Sequence, residues 1–426
     1  MPRIRRSRPT RTHFLALILL LGACGCRAPK TLADHAVRVD TLGDTVRVRT
    51  LSGSVWGDTA ELVPETTIGL ADGPEEYTLG AVRSLAVSQR GEVFVMDGEA
   101  PALRKYSADG SFLRTFGREG SGPGEYREPD GGLAVLSDGR VVLRDPGNAR
   151  FTIYAADGTY LGQWPAVGGF GTGRRLYRTH DDHLYTTVRL EADLPPWQWA
   201  YGLAHYTPSG TILDTLIVPR FGYEPPIVSG QRDRRTSTQY VPFSATAPWA
   251  LSPSGYVVTG IGDDYQVTLF RPQGILRLER TVTPVPVLPA EGEERRAQVT
   301  WDMEGKFPRW RWNGPAIPST KPAYTDLLPA DDGRIWVRLS TVGERVAEGA
   351  SDLPPSNGRP PRPPLRYRER VAFDVFEADG NYLGHVAAPD GFQLTPTPVI
   401  RGDTIWAVRI DPTQGFPQVV RYRLVR

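Results

Sequence analysis

Cysteine is almost missing from this chain: of 426 residues, only Cys24 and Cys26 carry a thiol. They lie two apart near the start, which excludes a disulfide framework and a dispersed Cys-based zinc site. Six histidines leave little material for a His-built metal centre, and no Gly-x-Ser-x-Gly nucleophile elbow is present. Long hydrophobic runs are lacking as well, so a multi-span membrane protein is excluded. Neither charge sign is in marked excess, with 50 basic residues against 48 acidic ones. Punctuation is plentiful. The 45 glycines and 39 prolines would break long helices, but they suit many short strands joined by turns. A 40% hydrophobic content excludes disorder and allows a large core, and collagen and coiled-coil readings fall with the same composition.

The first thirteen residues carry Arg3, Arg5, Arg6, Arg8 and Arg11 and no acid, and an apolar run from Phe14 to Leu21 follows. A basic segment, a short apolar segment and small residues at the cut describe an export signal over residues 1–23. Leu21-Gly22-Ala23-Cys24 resembles the bacterial lipoprotein box. That resemblance implies cleavage before Cys24, diacylation of its thiol and acylation of the new amine, giving a membrane partner through palmitate-type chains. Cys26 is the weaker candidate because Ala23 stands three residues before it. Gly25, in place of an acid after the Cys, implies the outer membrane. Residues 24–35 then read as a tether. Loss of five arginines with the signal leaves 45 basic residues against 48 acidic, so no basic field argues for nucleic acid.

Residues 84–117 align without a gap on 132–165 at an offset of 48. Each copy reads as short strands separated by Gly turns, and repeats of this length and content point to propeller blades. The first-strand-and-turn signature recurs at 84–91, 132–139, 176–183, 249–255, 326–333 and 396–403, which is six times. The turn before the outer strand recurs five times, as Ala108-Asp109-Gly110, Ala156-Asp157-Gly158, Pro208-Ser209-Gly210, Pro272-Gln273-Gly274 and Ala378-Asp379-Gly380. The sixth outer strand is expected from the other end of the chain. Thr67-Ile68-Gly69 and the loop after it match Thr115-Phe116-Gly117 and the loop after that, so residues near 60–69 should close the last blade and hide two sheet edges. The expected fold is all-β, a six-bladed β-propeller of four-stranded antiparallel blades over residues 36–426. Residues 36–50 alternate as a hairpin expected to pack outside that closure.

The run Asp145-Pro146-Gly147-Asn148-Ala149-Arg150, followed by Phe151 to Tyr154 and Asp157-Gly158, resembles NHL-type six-bladed propellers. Asp97 to Arg104 is a degraded copy lacking the Asn. Gly122 to Tyr126 and Lys321-Pro322-Ala323-Tyr324 resemble secreted bacterial members of that superfamily. Neither the blade-spaced histidines of amidating-lyase propellers nor the calcium set of gluconolactonase-type propellers is matched residue by residue.

In a four-stranded blade, first-to-second and third-to-fourth connections share one face, and the remaining connections share the other. Here the first kind are all tight. The length sits at 189–200, 219–247, 284–324 and 342–369, all on the second face by strand order. Loop insertion is cheap, each doubling costing only ~0.6 kcal/mol, yet random insertion would not avoid one face. Trp197 and Trp199, and Trp301, Arg309, Trp310, Arg311 and Trp312, are the candidate residues for a protein, peptide or glycan partner through stacking and cation–π contact. The same tryptophans equally suit a local core that keeps the loops folded. His180 and His183 in His-Asp-Asp-His fall on the short-turn face, where a structural turn is the simpler reading. Asp263-Asp264 on the other face could hold a cation or be a solvated turn. Asp97 and Asp145 are read as structural partners of turn amides.

These residues lead to a lipid-anchored extracytoplasmic propeller, expected as a monomer, that binds or scaffolds through its long-loop face. No catalytic residue, metal ligand or cofactor is assigned. The rival is a propeller hydrolase or lyase with a divalent ion (calcium or zinc) or an acid/base pair in the axial channel. A structural envelope protein is the third reading.

Overall fold

The computed structural model describes residues 35–57, 59–167, 175–190, 201–218, 222–233, 235–346 and 361–426. The signal, the tether up to residue 34 with Cys24 and Cys26, Trp197 and Trp199, and much of the 342–369 insertion lie outside them. The described chain is mostly β, with one α-helix, α1, at Pro289–Lys306.

Local chemistry explains the strand breaks. In the Asp-Gly turns an Asp carboxylate accepts the amide two residues on, as Asp109 does from Ser111 (3.1 Å), Asp157 from Thr159 (3.0 Å) and Asp379 from Asn381 (3.0 Å). The glycine after each takes a positive φ, between 83° and 98°, that a side chain would disfavour.

Each of the six first-strand positions forms a strand: Val82–Val87, Leu133–Val135, Leu176–Arg178, Trp249–Leu251, Tyr324–Pro329 and Val399–Arg401. The first three open four-stranded antiparallel sheets in which strand order follows chain order. From Trp249 the pattern continues through Val257–Ile261, Gln266–Arg271 and Gly274–Arg280. The C-terminal sheet has eight strands. Tyr324–Pro329, Ile335–Leu339, Ala372–Phe376 and Tyr382–Ala387 lie in that order, followed by Ala60–Ile68, Pro417–Val425, Thr404–Ile410 and Val399–Arg401. Only two residue pairs, Val386 with Ala60 and Ala387 with Glu61, join its halves. Ala60–Ile68 pairs at length with the C-terminal strand, placing Pro64 opposite Tyr422 and Ile68 opposite Val419.

The hairpin at 36–50 is not beside that closure, where it was expected. Its strands, Ala36–Leu42 and Thr45–Ser52, add to Gly274–Arg280, and Thr45 to Thr50 run parallel to Ile275 to Arg280. The chemistry of that edge accounts for the choice. Glu279 pairs with Arg47 and Arg49, both at 2.9 Å, and Val48 packs with Leu276 and Leu278. The chain then passes along the next sheet, where Trp56 N–H donates to Leu383 O at 2.8 Å, before forming Ala60–Ile68. One N-terminal segment thus straps the sheet opened by Trp249 to both halves of the eight-stranded sheet.

The apolar core is a series of clusters, five shared by two successive sheets and one by the two halves of the eight-stranded sheet. Phe94 and Phe116 of the first meet Leu133 and Tyr154 of the second. Phe151 and Ile153 meet Leu184 and Tyr206, Leu203 meets Ala250 and Val257, and Val267 and Leu269 meet Tyr324 and Phe376. Trp336 and Phe373 meet Ala407, Tyr422 and Leu62. The sixth cluster returns to the start, because Ile68, Trp406 and Val419 pack on Leu85, Val95 and Tyr106. These clusters tie every sheet to the next, so each depends on its neighbours.

Candidate functional site: an arginine-lined axial cavity

Residues of five of the six first strands, with Pro253 of the turn after Trp249–Leu251, line a cavity of about 430 Å³. Leu85, Leu133, Leu176, Pro253, Pro329 and Ile400 supply apolar wall from six successive stretches of chain. Its charged lining is one-sided: Arg83, Arg175, Arg178 and Arg401 against Asp331 alone.

The arginines divide by position along their strands. Arg178 and Arg401 stand where inner strands end, at the tight turns. The Asp182 carboxylate accepts from Arg178 at 2.7 Å and from the Ser137 amide at 3.0 Å. Burial alone would raise the Asp182 pKa, but Ser137 and Arg178 hold it below the ordinary range. Arg401 pairs with Asp331 at 2.9 Å and donates to Ser88 O (2.5 Å) and Val87 O (2.7 Å) of the first sheet. His180 joins this end, with its Nε2 3.0 Å from Asp331 O and its backbone N–H on Pro253 O at 2.8 Å. The tight-turn end is therefore braced from sheet to sheet.

Arg83 and Arg175 stand near strand starts, at the end served by the long connections, beside Gly131 and the run Thr395 to Pro398. The Arg175 guanidinium lies over the Tyr177 ring, 4.6 Å from its centroid. Arg83 is exposed, lays its stem over Gly98 and makes no hydrogen bond or ion pair among the described residues. Behind this end, burial pushes the Asp326 carboxyl above its ordinary value, while Arg175 and Arg338 pull it back. Nε and Nη1 of Arg338 are buried without a hydrogen-bond partner.

The insertions form a second layer. The hairpin Ile227–Arg232 and Arg235–Tyr240, from 219–247, packs on α1, from 284–324, through Val228, Val241, Val299, Met303 and Phe307. Residues of 342–369 bind α1 from another side, where Gln298 donates to Pro363 O at 2.7 Å and Arg362 pairs with Asp302 at 3.0 Å. Lys321 ties all three together. Its side chain is fully buried, and its Nζ donates to Glu291 (2.6 Å), Glu369 (3.1 Å) and Thr341 O (3.0 Å) and sits 5.0 Å from the Phe243 ring centroid.

That packing corrects the expected aromatic surface. Trp310 is only 8% exposed, completes the cluster of Val228, Met303 and Phe307, and donates its indole N–H to Ser229 O at 2.7 Å. Trp312 is half-buried against the same cluster and donates to Gly314 O and Pro315 O. The cation over its ring is Arg296 of α1, at 5.0 Å, in place of the expected Arg309 or Arg311. Trp301 is half-buried, whereas Arg309 and Arg311 are exposed. The reason is elementary: a helix and a hairpin standing off the main sheets need their own apolar cover.

The other candidates separate. His183 leaves His180 and meets His205, Nδ1 to Nε2 at 2.5 Å, and His205 reaches Asp214 at 2.8 Å and stacks on Tyr185. Among the described residues, no group of three or more His, Cys, Asp or Glu is placed to hold a metal. Asp263 and Asp264 are exposed beside Tyr223, Gln266 and Arg277. Asp97 and Asp145 accept from turn amides, Asp97 from Gly80 (2.9 Å), Ala81 (3.0 Å) and Glu99 (3.1 Å), Asp145 from Arg127 (2.7 Å). Burial raises both carboxyls. At Asp97 the three amides outweigh it and the pKa falls, whereas at Asp145 burial wins and the pKa rises.

No protein-family model matches the chain, and no curated protein matches it. Several solved structures are similar over most of its length. A member of the DUF4221 family from Bacteroides vulgatus superposes with a TM-score of 0.49 at 9% identity, covering 86% of this chain and 98% of that one. A candidate exported protein from Bacteroides fragilis gives 0.46 at 11%, covering 90% and 99%. A virginiamycin B lyase from Staphylococcus aureus gives 0.41 at 9%, covering 84% and 99%.

Proposed function

We propose that this chain is an exported, lipid-anchored six-bladed propeller of NHL type, a binding module whose ligand enters the axial cavity from the elaborated side. The observation that carries this reading is the cycle of shared clusters. Six shared clusters return to the first sheet, and six inner stretches contribute to a single cavity. The blade count follows if the eight-stranded sheet is two four-stranded blades touching at Ala60 and Glu61. The Asn148 amide bonded to Asp145 at 2.7 Å supports the NHL comparison, since it fastens the turn that motif encodes.

A binding role fits better than hydrolysis or elimination. A carboxylate-built cation cage or a carboxylate acid/base pair on the axis needs converging acids, and the cavity lining offers Asp331, already paired with Arg401. The three packed insertions make a fixed rim on the side where Arg83 and Arg175 stand.

The export half of the proposal rests on Leu21 to Cys24 and is tested separately. Cys24→Ala should move the protein from the membrane fraction to the soluble extracytoplasmic fraction and abolish labelling by a palmitate analogue. Unchanged fractionation would end the anchor proposal.

A further inference from the structure

The cavity's chemistry specifies more than a cavity. We infer that it is a site for a small organic anion, a carboxylate or phosphate on an apolar body, with Arg83 and Arg175 holding the anionic group and Leu85, Leu133, Leu176 and Ile400 the body. This rests on the axial-cavity reading above and adds the ligand class to it.

Two of the four lining arginines have structural work and two are available. Arg178 is bound by Asp182, and Arg401 by Asp331 and two backbone carbonyls, so their donors are committed to bracing the tight turns. Arg175 is fixed in direction by the Tyr177 ring beneath it, which leaves guanidinium edges for a second partner. Arg83 stands in the same lining, exposed, with its stem over Gly98 and no hydrogen bond or ion pair among the described residues. That stem covers the glycine, but its charge has no acid opposite it among the described residues, and planar guanidinium forks match carboxylate and phosphate oxygens. Asp326 and Glu369 share Arg338 behind this end, which offsets those two acids only in part, so the cationic groups facing the cavity here are Arg83 and Arg175. About 430 Å³ is within the range of small-molecule sites, and the remaining wall is aliphatic and proline-rich.

Three probes of one shape separate charge from fit: phenylacetate, phenyl phosphate and the neutral phenylacetamide. Binding to the full-length chain in detergent is followed by ligand-observed NMR and calorimetry. At least one anion should bind about tenfold or more tighter than phenylacetamide, a ratio expected for a charge-assisted pair of hydrogen bonds, and which anion leads distinguishes carboxylate from phosphate recognition. Arg83→Gln and Arg175→Gln should each reduce that preference, and together bring it close to one, with unchanged melting temperature for the exposed Arg83→Gln. Thr397→Trp, at the mouth, should block all three probes. If the amide binds as well as the acids and both arginine variants are silent while Thr397→Trp still blocks, the anion assignment is overturned and the cavity reading survives. If no probe binds, or Thr397→Trp changes nothing, both are overturned.

Discussion

Deleting residues 36–69 abolishes cooperative folding, although fewer than a tenth of the residues are lost. The strand Ala60–Ile68 contributes seven register pairs to Pro417–Val425, and Ala60, Leu62 and Ile68 are all buried. Leu62 lies in the cluster between the halves of the eight-stranded sheet and Ile68 in the cluster that returns to the first sheet, so removing the strand opens two interfaces at once. Burial of an aliphatic side chain contributes roughly 1.5–3 kcal/mol. Two such residues, with the exposed strand edge, approach the 5–15 kcal/mol that typically separates folded from unfolded domains. The milder Ile68→Asp places an unpaired carboxylate in the same cluster and should lower the melting temperature steeply. Thermal circular dichroism and gel filtration read both variants. A deletion variant that melts cooperatively within a few degrees of wild type would contradict the expectation.

Lys321→Met should loosen the insertions while sparing the inner sheets. The substitution keeps an unbranched stem, one atom shorter, and removes the charge, leaving Glu291 buried and Glu369 and Thr341 O without their shared donor. Breaking a buried pair from one side typically costs about 3–5 kcal/mol. The cost falls on the layer formed by α1, the 219–247 hairpin and the 342–369 strands, because each contributes a group around that ammonium. Hydrogen exchange should accelerate in Pro289–Lys306 and Gly343–Arg345 and remain slow in Val93–Asp97 and Val141–Asp145. Uniform acceleration would mean that the insertions and the sheets unfold as one unit.

Much of the architecture is legible because its signals are local. Asp109-Gly110 and Asp157-Gly158 announce their turns through a side-chain bond two residues long and a positive-φ glycine. The 48-residue offset aligns Val82–Val87 and Leu133–Val135, and the unpaired sixth outer strand points to Thr67-Ile68. The hairpin at 36–50 was misplaced because its partner edge is chosen by Glu279, more than 200 residues away, and nothing in its alternation names that partner. Trp310 looked like a contact residue for a related reason. Sequence shows that long loops exist on one side, but not that they pack on one another and need an indole between them.

The axial arginines were also missed, although a signal for them exists. Arg83, Arg175, Arg178 and Arg401 flank or occupy inner strands whose other members are mostly apolar, and a long cation there is out of pattern. They come together only when the sheets form a cycle, which no single repeat reveals. Lys321 was noticed as part of a family-like run, yet its task depends on Glu291 and Glu369, 30 and 48 positions away.

The cycle itself is open to direct measurement. Val63 stands opposite Arg423, and both are exposed. Opposed residues of antiparallel strands have Cα atoms about 4.5–5.5 Å apart, inside the window for a disulfide. In a Val63→Cys/Arg423→Cys chain, mild oxidation should join the two ends, so that proteolytic fragments containing positions 63 and 423 travel together until reduced and separate afterwards. Fragments that never cross-link, in a protein that otherwise melts normally, would contradict the ring and with it the cavity at its centre.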